Sequence, residues 1–215
     1  MMKTVLLTGF EPFNKATINP AWEAVRALEG WQGEGFRVEV RQLPCVFDGA
    51  IDTLCAMVDA MQPDIVIAVG QAGGRPDISV ERVAINVDDA SILDNAGQQP
   101  IDRTIRADGP AAYFSTLPIK AVVAAMRERG LVAGVSQTAG TFVCNHVFYG
   151  LMHHTAGKPV KAGFIHVPFL PEQASLRQDN PPSMALEDIV AGIRIAVETA
   201  VKVERDVAHA GGATH

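Results

Sequence analysis

Short apolar runs alternate along the chain with longer stretches in which apolar residues recur every three or four positions. The short runs predict β-strands at 3–8, 36–43, 65–69, 131–135 and 161–167. The longer stretches predict helices at about 20–28, 48–62, 118–129, 144–155 and 183–207. This alternation is typical of an α/β fold. We therefore expect a single, phosphorylase/hydrolase-like domain in which helices cover both faces of a mostly parallel, twisted sheet.

Particular residues mark where several of the predicted helices and strands begin or end. Asn19 and Asp48 each precede a helical pattern and are predicted to act as N-caps. The stretch 78–87 is strand-like although Glu81 places a charge within it, and the polar, turn-rich stretch 88–109 is predicted to be a surface excursion. The small and polar end at 209–215 is expected to be a disordered tail that follows a folded domain at 1–208.

Composition and charge narrow the class of protein. Of 215 residues, 48% are hydrophobic and 20% are charged, which is enough apolar material to bury a core. The formal net charge of −6 argues against a protein that binds nucleic acid. No run of 18 or more apolar residues occurs, so we expect no contact with a membrane. Three cysteines with no signal for export point to a reducing cytoplasm.

Cys144 differs in its setting from the other two cysteines. It follows a turn of small residues and stands where a helix is predicted to begin. Free N–H groups and the positive end of the helix dipole stabilise a thiolate there, and such sites have pKa values of roughly 3.5–7.5. The same N–H groups would face an oxyanion formed during acyl transfer. The alternative is a buried structural cysteine, which is how we interpret Cys45 and Cys55.

A cysteine nucleophile needs a base, and the base needs an orienting partner. His166 ends a predicted strand, and the carboxyl ends of strands form the active-site rim of open α/β sheets. Glu81 interrupts an apolar run, either as a partner of the imidazole or as one half of an ordinary salt bridge with arginine. His146 and His153 share the helix of Cys144, and no carboxylate or cysteine completes a metal site with them, so no metal is expected.

Four segments resemble those of type I pyroglutamyl peptidases, a family of cysteine peptidases. They are GFEPF at 9–13 with NP at 19–20, GQAGG at 70–74 followed by SVERVAIN at 79–86, TAGTFVCN at 138–145, and HVPFLPEQ at 166–173. They span nearly the whole chain. The resemblance implies that Cys144 is the nucleophile, His166 the general base and acid, and Glu81 the residue that orients His166. It further implies a cofactor-free reaction that removes N-terminal pyroglutamate from peptides, for which the chemistry of a thiol predicts a thioester intermediate.

The resemblance also implies a substrate slot and an assembly. The walls of the slot would be the four apolar residues Phe10, Phe13, Phe142 and Val143, with Gln71 hydrogen-bonding the lactam ring. The residues alone leave an alternative, in which the two loop phenylalanines anchor the core and Gln71 is a turn residue. A slot that pairs with a lactam would reject a charged N-terminal amine, because burying that charge unpaired is costly. The family commonly forms homotetramers.

The sequence departs from the family at two positions in one segment near the expected site. Ser91 stands where an arginine is usual, and Leu93 replaces a usual proline. Because that positive charge is lost, an alternative hypothesis is a catalytically weak or inactive relative that binds pyroglutamyl or similar lactam ligands. Arg75 or Arg82 would have to supply the missing charge for this alternative to be set aside. A different enzyme on a similar scaffold, such as a nucleoside phosphorylase, is a third hypothesis. The chain has no P-loop, and GQAGG is not a GxGxxG fingerprint, which argues against nucleotide binding.

Overall fold

A computed structural model describes residues 2–212. The nine strands in this range are β1 (Lys3–Phe10), β2 (Gln32–Gly33), β3 (Phe36–Leu43), β4 (Ile65–Gln71), β5 (Ile78–Glu81), β6 (Val83–Ile85), β7 (Ala112–Phe114), β8 (Ala133–Ser136) and β9 (Lys161–Val167). Seven strands form the main sheet in the order β2-β3-β1-β4-β9-β5-β8, and β6 pairs with β7 separately. Neighbours in the main sheet run parallel except at the β2–β3 and β5–β9 pairs.

Helices lie on both faces of the main sheet, as the sequence predicts. They are α1 (Pro20–Arg26), α2 (Gly49–Met61), α3 (Ile119–Glu128), α4 (Val143–Thr155), α5 (Pro171–Ser175) and α6 (Leu186–Lys202). One half of the core joins the sheet to α1, α3 and α6, and the other half joins it to α2 and α4. The predicted fold class, one α/β domain with a mostly parallel sheet, is confirmed.

The pairing of β4 and β9 fixes where chemistry can occur. β4 is buried along its whole length except at Gln71, as expected for a central strand. β9 runs parallel to β4 and places His166 beside Gly70, while β5 runs antiparallel to β9 and places Ser79 opposite the same histidine. The carboxyl ends of β4 and β9 therefore meet at one edge of the sheet, and β5 delivers Glu81 beside them.

Two of the predicted boundaries differ from the structure for reasons that the hydrogen bonds show. The strand-like stretch 78–87 breaks at Arg82, because its N–H completes the ladder to Ser136 and its carbonyl accepts from the N–H of Ser115. The chain then leaves the main sheet to form β6. The last helix ends at Lys202 and not at 207, because the carboxylate of Asp206 turns back and accepts from the N–H groups of Lys120 and Ala121 at the start of α3.

The two predicted N-caps have different outcomes. Asn19 caps α1, and its side-chain oxygen accepts from the N–H of Ala21 at 3.0 Å. The prediction that Asp48 caps α2 is wrong, since its side chain makes no capping bond. Asp48 has a positive φ of 60°, and its carboxylate accepts from the guanidinium of Arg103 instead. Of the predicted tail, 213–215 lie outside the described residues, and the carbonyl of Gly211 accepts from Arg82.

Replacing Asp206 with alanine should destabilise the fold through α3. The substitution leaves two N–H groups at the start of the helix without their acceptor, and loss of a helix cap costs about 1 kcal/mol. Urea denaturation should show that loss in the free energy of unfolding. Glu34→Ala, which removes an exposed carboxylate with no side-chain hydrogen bond among residues 2–212, should have no comparable effect. Equal stability of the two variants would show that Asp206 does not cap α3.

Candidate active site

Glu81 and His166 form a buried pair between β5 and β9. His166 Nδ1 lies 2.8 Å from Glu81 Oε1, and both side chains are almost fully excluded from solvent. The same oxygen accepts from the guanidinium of Arg75, so Glu81 Oε1 is an acceptor for both neighbours. His166 must therefore carry its proton on Nδ1 and donate it to Glu81. Nε2 of the neutral ring is left as the atom that can accept a proton.

Arg75 joins this pair to the turn that leads into α4. Its Nη1 donates to Glu81 Oε1 at 2.7 Å and to Ser136 Oγ at 3.3 Å, and its Nη2 donates to the carbonyl of Thr138 at 2.8 Å. Both interpretations of Glu81 from the sequence therefore apply at once, because the carboxylate makes a salt bridge with arginine and also holds the imidazole. Glu81 Oε2 makes no hydrogen bond within the described part of the chain.

The thiol of Cys144 lies directly over β4. A methyl group built on Gly70 would come within 2.9 Å of Cys144 Sγ and within 2.8 Å of the ring of Phe164, so only glycine leaves room for both. Gly70 is the register partner of His166 on the neighbouring strand. The thiol and the imidazole thus lie over adjacent strands, on the face where Phe164 and His166 pack with ring centroids 4.8 Å apart. The structure brings Glu81, His166 and Cys144 to one place.

The cysteine stands in the first turn of α4. The helix begins at Val143, one residue before the predicted start, and Phe142 occupies the N-cap position. The N–H groups of the first turn have no acceptor within a helix, so the N–H of Cys144 is available beside its own thiol. This placement suits an oxyanion that forms on a carbonyl attacked by Sγ.

The protonation state of the thiol differs from the prediction. Burial raises the pKa of Cys144 to about 12, and the negative charge of Glu81 adds to this effect, while the positive charge of Arg75 opposes it. The prediction of a lowered pKa is wrong, because removal of the sulfur from water outweighs the helix start. A raised pKa favours the neutral thiol, so Cys144 would need a base to take its proton before the sulfur could act as a nucleophile.

A second buried histidine anchors α4 and was not predicted. His146 Nε2 accepts from the N–H of Asp48 at 2.9 Å, so Nδ1 carries the proton and donates it to Asp88. Asp88 also accepts from Arg103, and Asn145 beside it bonds the backbone of β6. The sequence assigned His146 no role, because no carboxylate or cysteine completes a metal site with it. These contacts fix the helix that carries the thiol.

The predicted walls of the slot divide into accessible and buried residues. Phe13 and Phe142 are half-buried and face each other with ring centroids 6.1 Å apart, and the edge of Phe47 supports Phe142 at 5.3 Å. Phe10 is only 2% exposed and packs against Phe164, and Val143 is completely buried. Phe10 therefore anchors the core, which is the alternative that the sequence left open for it. Phe13 and Phe142 offer accessible apolar surface.

Gln71 is the last residue of β4 and not a turn residue. Its Oε1 accepts from Gln173 Nε2 at 3.1 Å. Together with Phe13 it lines a cavity of about 570 Å³ that lies between the loop at 13–18 and α5. Gln173 belongs to the HVPFLPEQ segment at 166–173, but no sequence pattern pointed to a role for it in the site.

The segment 88–109 is docked against the site. Asp94 accepts from three backbone N–H groups, those of Phe47, Ala96 and Gln98. Asn95 donates to the side chain of Glu11 and the carbonyl of Pro12, in the loop that follows β1 and carries Phe13. Ser91 is exposed in this segment. Of the two arginines considered as substitutes, Arg75 donates to Glu81 beside His166, whereas Arg82 donates to the carbonyl of Gly211.

Between residues 2 and 212, no three His, Cys, Asp or Glu side chains cluster closely enough to hold a metal ion. In the same range, no helix combines the length and the apolar character required to cross a membrane.

Known proteins resemble this chain along its length. The family described as pyroglutamyl peptidase matches residues 3–203. The pyrrolidone-carboxylate peptidases of Cupriavidus taiwanensis and Bacillus cytotoxicus are 62% and 58% identical, each over 100% of both chains. The crystal structure of pyroglutamyl peptidase I from Bacillus amyloliquefaciens superposes with a TM-score of 0.95 at 46% identity, covering 98% of this chain and 100% of that one. A mutant pyrrolidone carboxyl peptidase from Pyrococcus furiosus gives 0.90 at 42% identity, covering 93% and 98%.

Replacing Arg75 with methionine should make the thiol harder to ionise. The arginine is the positive charge that lowers the pKa of Cys144, so its loss raises that pKa further. Alkylation of Cys144 by iodoacetamide, followed by peptide mass spectrometry, should slow about tenfold at a given pH for each unit of increase. The control is Arg127→Met, because Arg127 also donates to a backbone carbonyl but is not part of this site. The alkylation rate of Cys144 should stay unchanged in this variant. An unaltered pH dependence in Arg75→Met would contradict the role given to its charge.

Proposed function

The chain belongs to the pyroglutamyl peptidase family, and from that premise we propose that it is a cysteine exopeptidase that removes N-terminal pyroglutamate from peptides. The observation that carries the proposal is the convergence of three side chains. His166 is held by Glu81 with a free Nε2, and the thiol of Cys144 lies over the adjacent strand at the start of α4. This is the arrangement that a thiol nucleophile with a general base requires.

The first half of the reaction forms an acyl-enzyme. Because the Cys144 thiol is neutral at rest, His166 Nε2 takes its proton while Sγ attacks the pyroglutamyl carbonyl carbon. The oxyanion that results is stabilised by the N–H of Cys144. Glu81 stabilises the imidazolium through Nδ1. The intermediate then collapses: the C–N bond breaks, the imidazolium protonates the departing amine, and a thioester remains on Cys144.

The second half releases pyroglutamate. Water enters in place of the departed peptide, and His166 Nε2 takes a proton from it as its oxygen attacks the thioester carbonyl. When the C–S bond breaks, the imidazolium returns that proton to the sulfur. His166 thus takes and returns each proton, and both half-reactions balance without a cofactor.

The slot supports a preference for a neutral lactam. Phe13 and Phe142 provide apolar surface for a flat ring, and Gln71 provides an amide at the end of β4. A lactam nitrogen is uncharged, whereas an ordinary N-terminus carries an ammonium group. Moving an unpaired ammonium into an apolar slot is strongly unfavourable, so peptides with free N-termini should be rejected. Phe10 and Val143 take part as the buried support of the two accessible walls.

We infer that Ser91 is compatible with activity. It is exposed on the segment 88–109, and a positive charge is supplied to the catalytic pair by Arg75. The three catalytic candidates, Glu81, Cys144 and His166, are all present in the sequence. Nothing in the site favours the alternative of an inactive relative that only binds lactams.

We further propose a cytoplasmic homo-oligomer, with a tetramer as the family suggests. All three cysteines are unpaired, which suits a reducing compartment. Large apolar side chains are exposed at Ile101, Phe114 and Leu176, which suits association between copies of the chain. Light scattering coupled to size-exclusion chromatography would test the assembly. Pyroglutamyl peptides, and neither nucleic acid nor membrane, are the expected partners.

Hydrolysis of a pyroglutamyl amide reporter tests the activity directly. We expect release from this reporter and none from a prolyl reporter of the same leaving group. Cys144→Ala should abolish release while leaving the circular dichroism spectrum intact, because one small residue replaces another at a helix start. Turnover by Cys144→Ala near that of the unmodified protein would exclude Cys144 as the nucleophile. No release by well-folded protein would favour the lactam-binding alternative, and Ser91→Arg would then be tested for gain of activity.

Replacing Glu81 with glutamine should lower kcat more than it changes KM. The carboxylate acts on the imidazolium, which exists only as the reaction proceeds, and general acid–base catalysis contributes about a hundredfold or more. His166→Ala should be more damaging still. Glu187→Gln makes the same change at an exposed position on α6 and should leave both constants unchanged. Unchanged kinetics in Glu81→Gln would mean that another group orients His166.

A further inference from the structure

The orientation of the Gln173 side-chain amide is fixed by the backbone. Its oxygen Oε1 lies 3.0 Å from the N–H of Leu170, and a backbone N–H can only donate. The other end of the amide must therefore be Nε2. That nitrogen lies 3.3 Å from the carbonyl of Ile18, which can only accept, so both contacts give the same assignment.

The fixed amide of Gln173 determines the orientation of a second amide. Gln173 Nε2 donates to Gln71 at 3.1 Å, and the atom that receives this bond must be Oε1. Gln71 Nε2 is consequently turned away from Gln173. Within the described range 2–212, that nitrogen makes no hydrogen bond to another residue. Its two N–H groups remain available to a ligand.

Gln71 stands where these donors can meet a substrate. It lines the same cavity as Phe13, and the ring of Phe13 lies 6.1 Å from that of Phe142, two residues before Cys144. The pyroglutamyl ring differs from a prolyl ring of equal size by a carbonyl, which is a hydrogen-bond acceptor. A donor at this position would bind that carbonyl, whereas an exposed amide oxygen would bind the ring ammonium of proline.

We propose that Gln173 is a specificity-determining positioning residue, which holds the Gln71 amide so that it presents N–H and not oxygen to the lactam carbonyl. The inference rests on the proposed function, since it names how the same slot selects its ring. Gln173 lines the same cavity, and the role proposed for it is exerted through its hydrogen bond to Gln71. An amide without this partner would be free to rotate and would offer either atom to the slot.

Gln173→Glu reverses the polarity of the contact. One oxygen of the introduced carboxylate can still accept from Leu170, but the other cannot donate. Gln71 should therefore rotate, giving its Nε2 to that carboxylate and its Oε1 to the slot. An oxygen would then face the lactam carbonyl, and the mismatched pair should raise KM for the pyroglutamyl reporter about tenfold or more. kcat should change far less. The inhibition constant of 2-pyrrolidinone, a lactam that lacks the scissile bond, should rise by the same factor.

Three variants separate polarity from mere disturbance. Gln173→Met removes all three side-chain hydrogen bonds without reversing any of them, and it should raise KM less than Gln173→Glu, even where its melting temperature falls further. Gln173→Lys retains a donor toward Gln71 and should keep KM closer to that of the unmodified protein than Gln173→Met does. Gln178→Glu adds the same charge at an exposed position nearby and should leave KM unchanged.

The outcomes distinguish this inference from the function on which it rests. It is overturned if Gln173→Glu raises KM and the 2-pyrrolidinone constant no more than Gln173→Met, or if it lowers kcat alone. If Gln173→Glu fails to fold, the KM values of Gln173→Lys and Gln173→Met test the inference instead. A lower KM in Gln173→Met than in Gln173→Lys would overturn it. An unmodified protein that releases no pyroglutamate removes the proposed function and this inference together.

Discussion

The interaction on which the site depends is the sharing of one oxygen of Glu81 between His166 and Arg75. A fully buried carboxylate is costly unless charged or hydrogen-bonded partners compensate it, and here both partners approach the same atom. The bond from His166 fixes the tautomer of the base. The bonds from Arg75 reach on to the turn at Ser136 and Thr138, which leads to the nucleophile. Glu81 therefore links His166, the proposed base, to the turn that leads to Cys144, the proposed nucleophile.

The sheet supplies the remaining constraint, because α4 and Phe164 pack too closely against β4 for a side chain at Gly70. The sulfur of Cys144 fills the space that a methyl group would need, so α4 can approach β4 only with glycine at this position. The buried contacts of His146 and Asn145 hold α4 in that position from its other side. Packing that excludes water also keeps the thiol protonated, and the nucleophile is thereby made dependent on the base beside it.

Much of this arrangement could be predicted from the sequence, and the rest depended on long-range contacts. The apolar run of β4, the cap at Asn19 and the setting of His166 at a strand end all follow from local patterns, which the structure retains. Asp48 is the opposite case. Its carboxylate accepts from Arg103, which is remote in the sequence, and therefore does not cap α2 as the local pattern predicts. The pKa of Cys144 was misjudged for the same reason: the sequence locates the helix start but does not measure how deeply the sulfur is buried.

The polarity of Gln71 shows why some functional residues leave no trace in a sequence pattern. An isolated glutamine can present either end of its amide, and nothing nearby in the chain chooses between them. The choice is made 102 positions away by Gln173, whose own orientation is set by the N–H of Leu170 at the start of α5. Recognition of a neutral ring therefore depends on a backbone donor that touches no substrate. A chain of hydrogen bonds, each with one possible direction, carries that orientation from α5 to the end of β4.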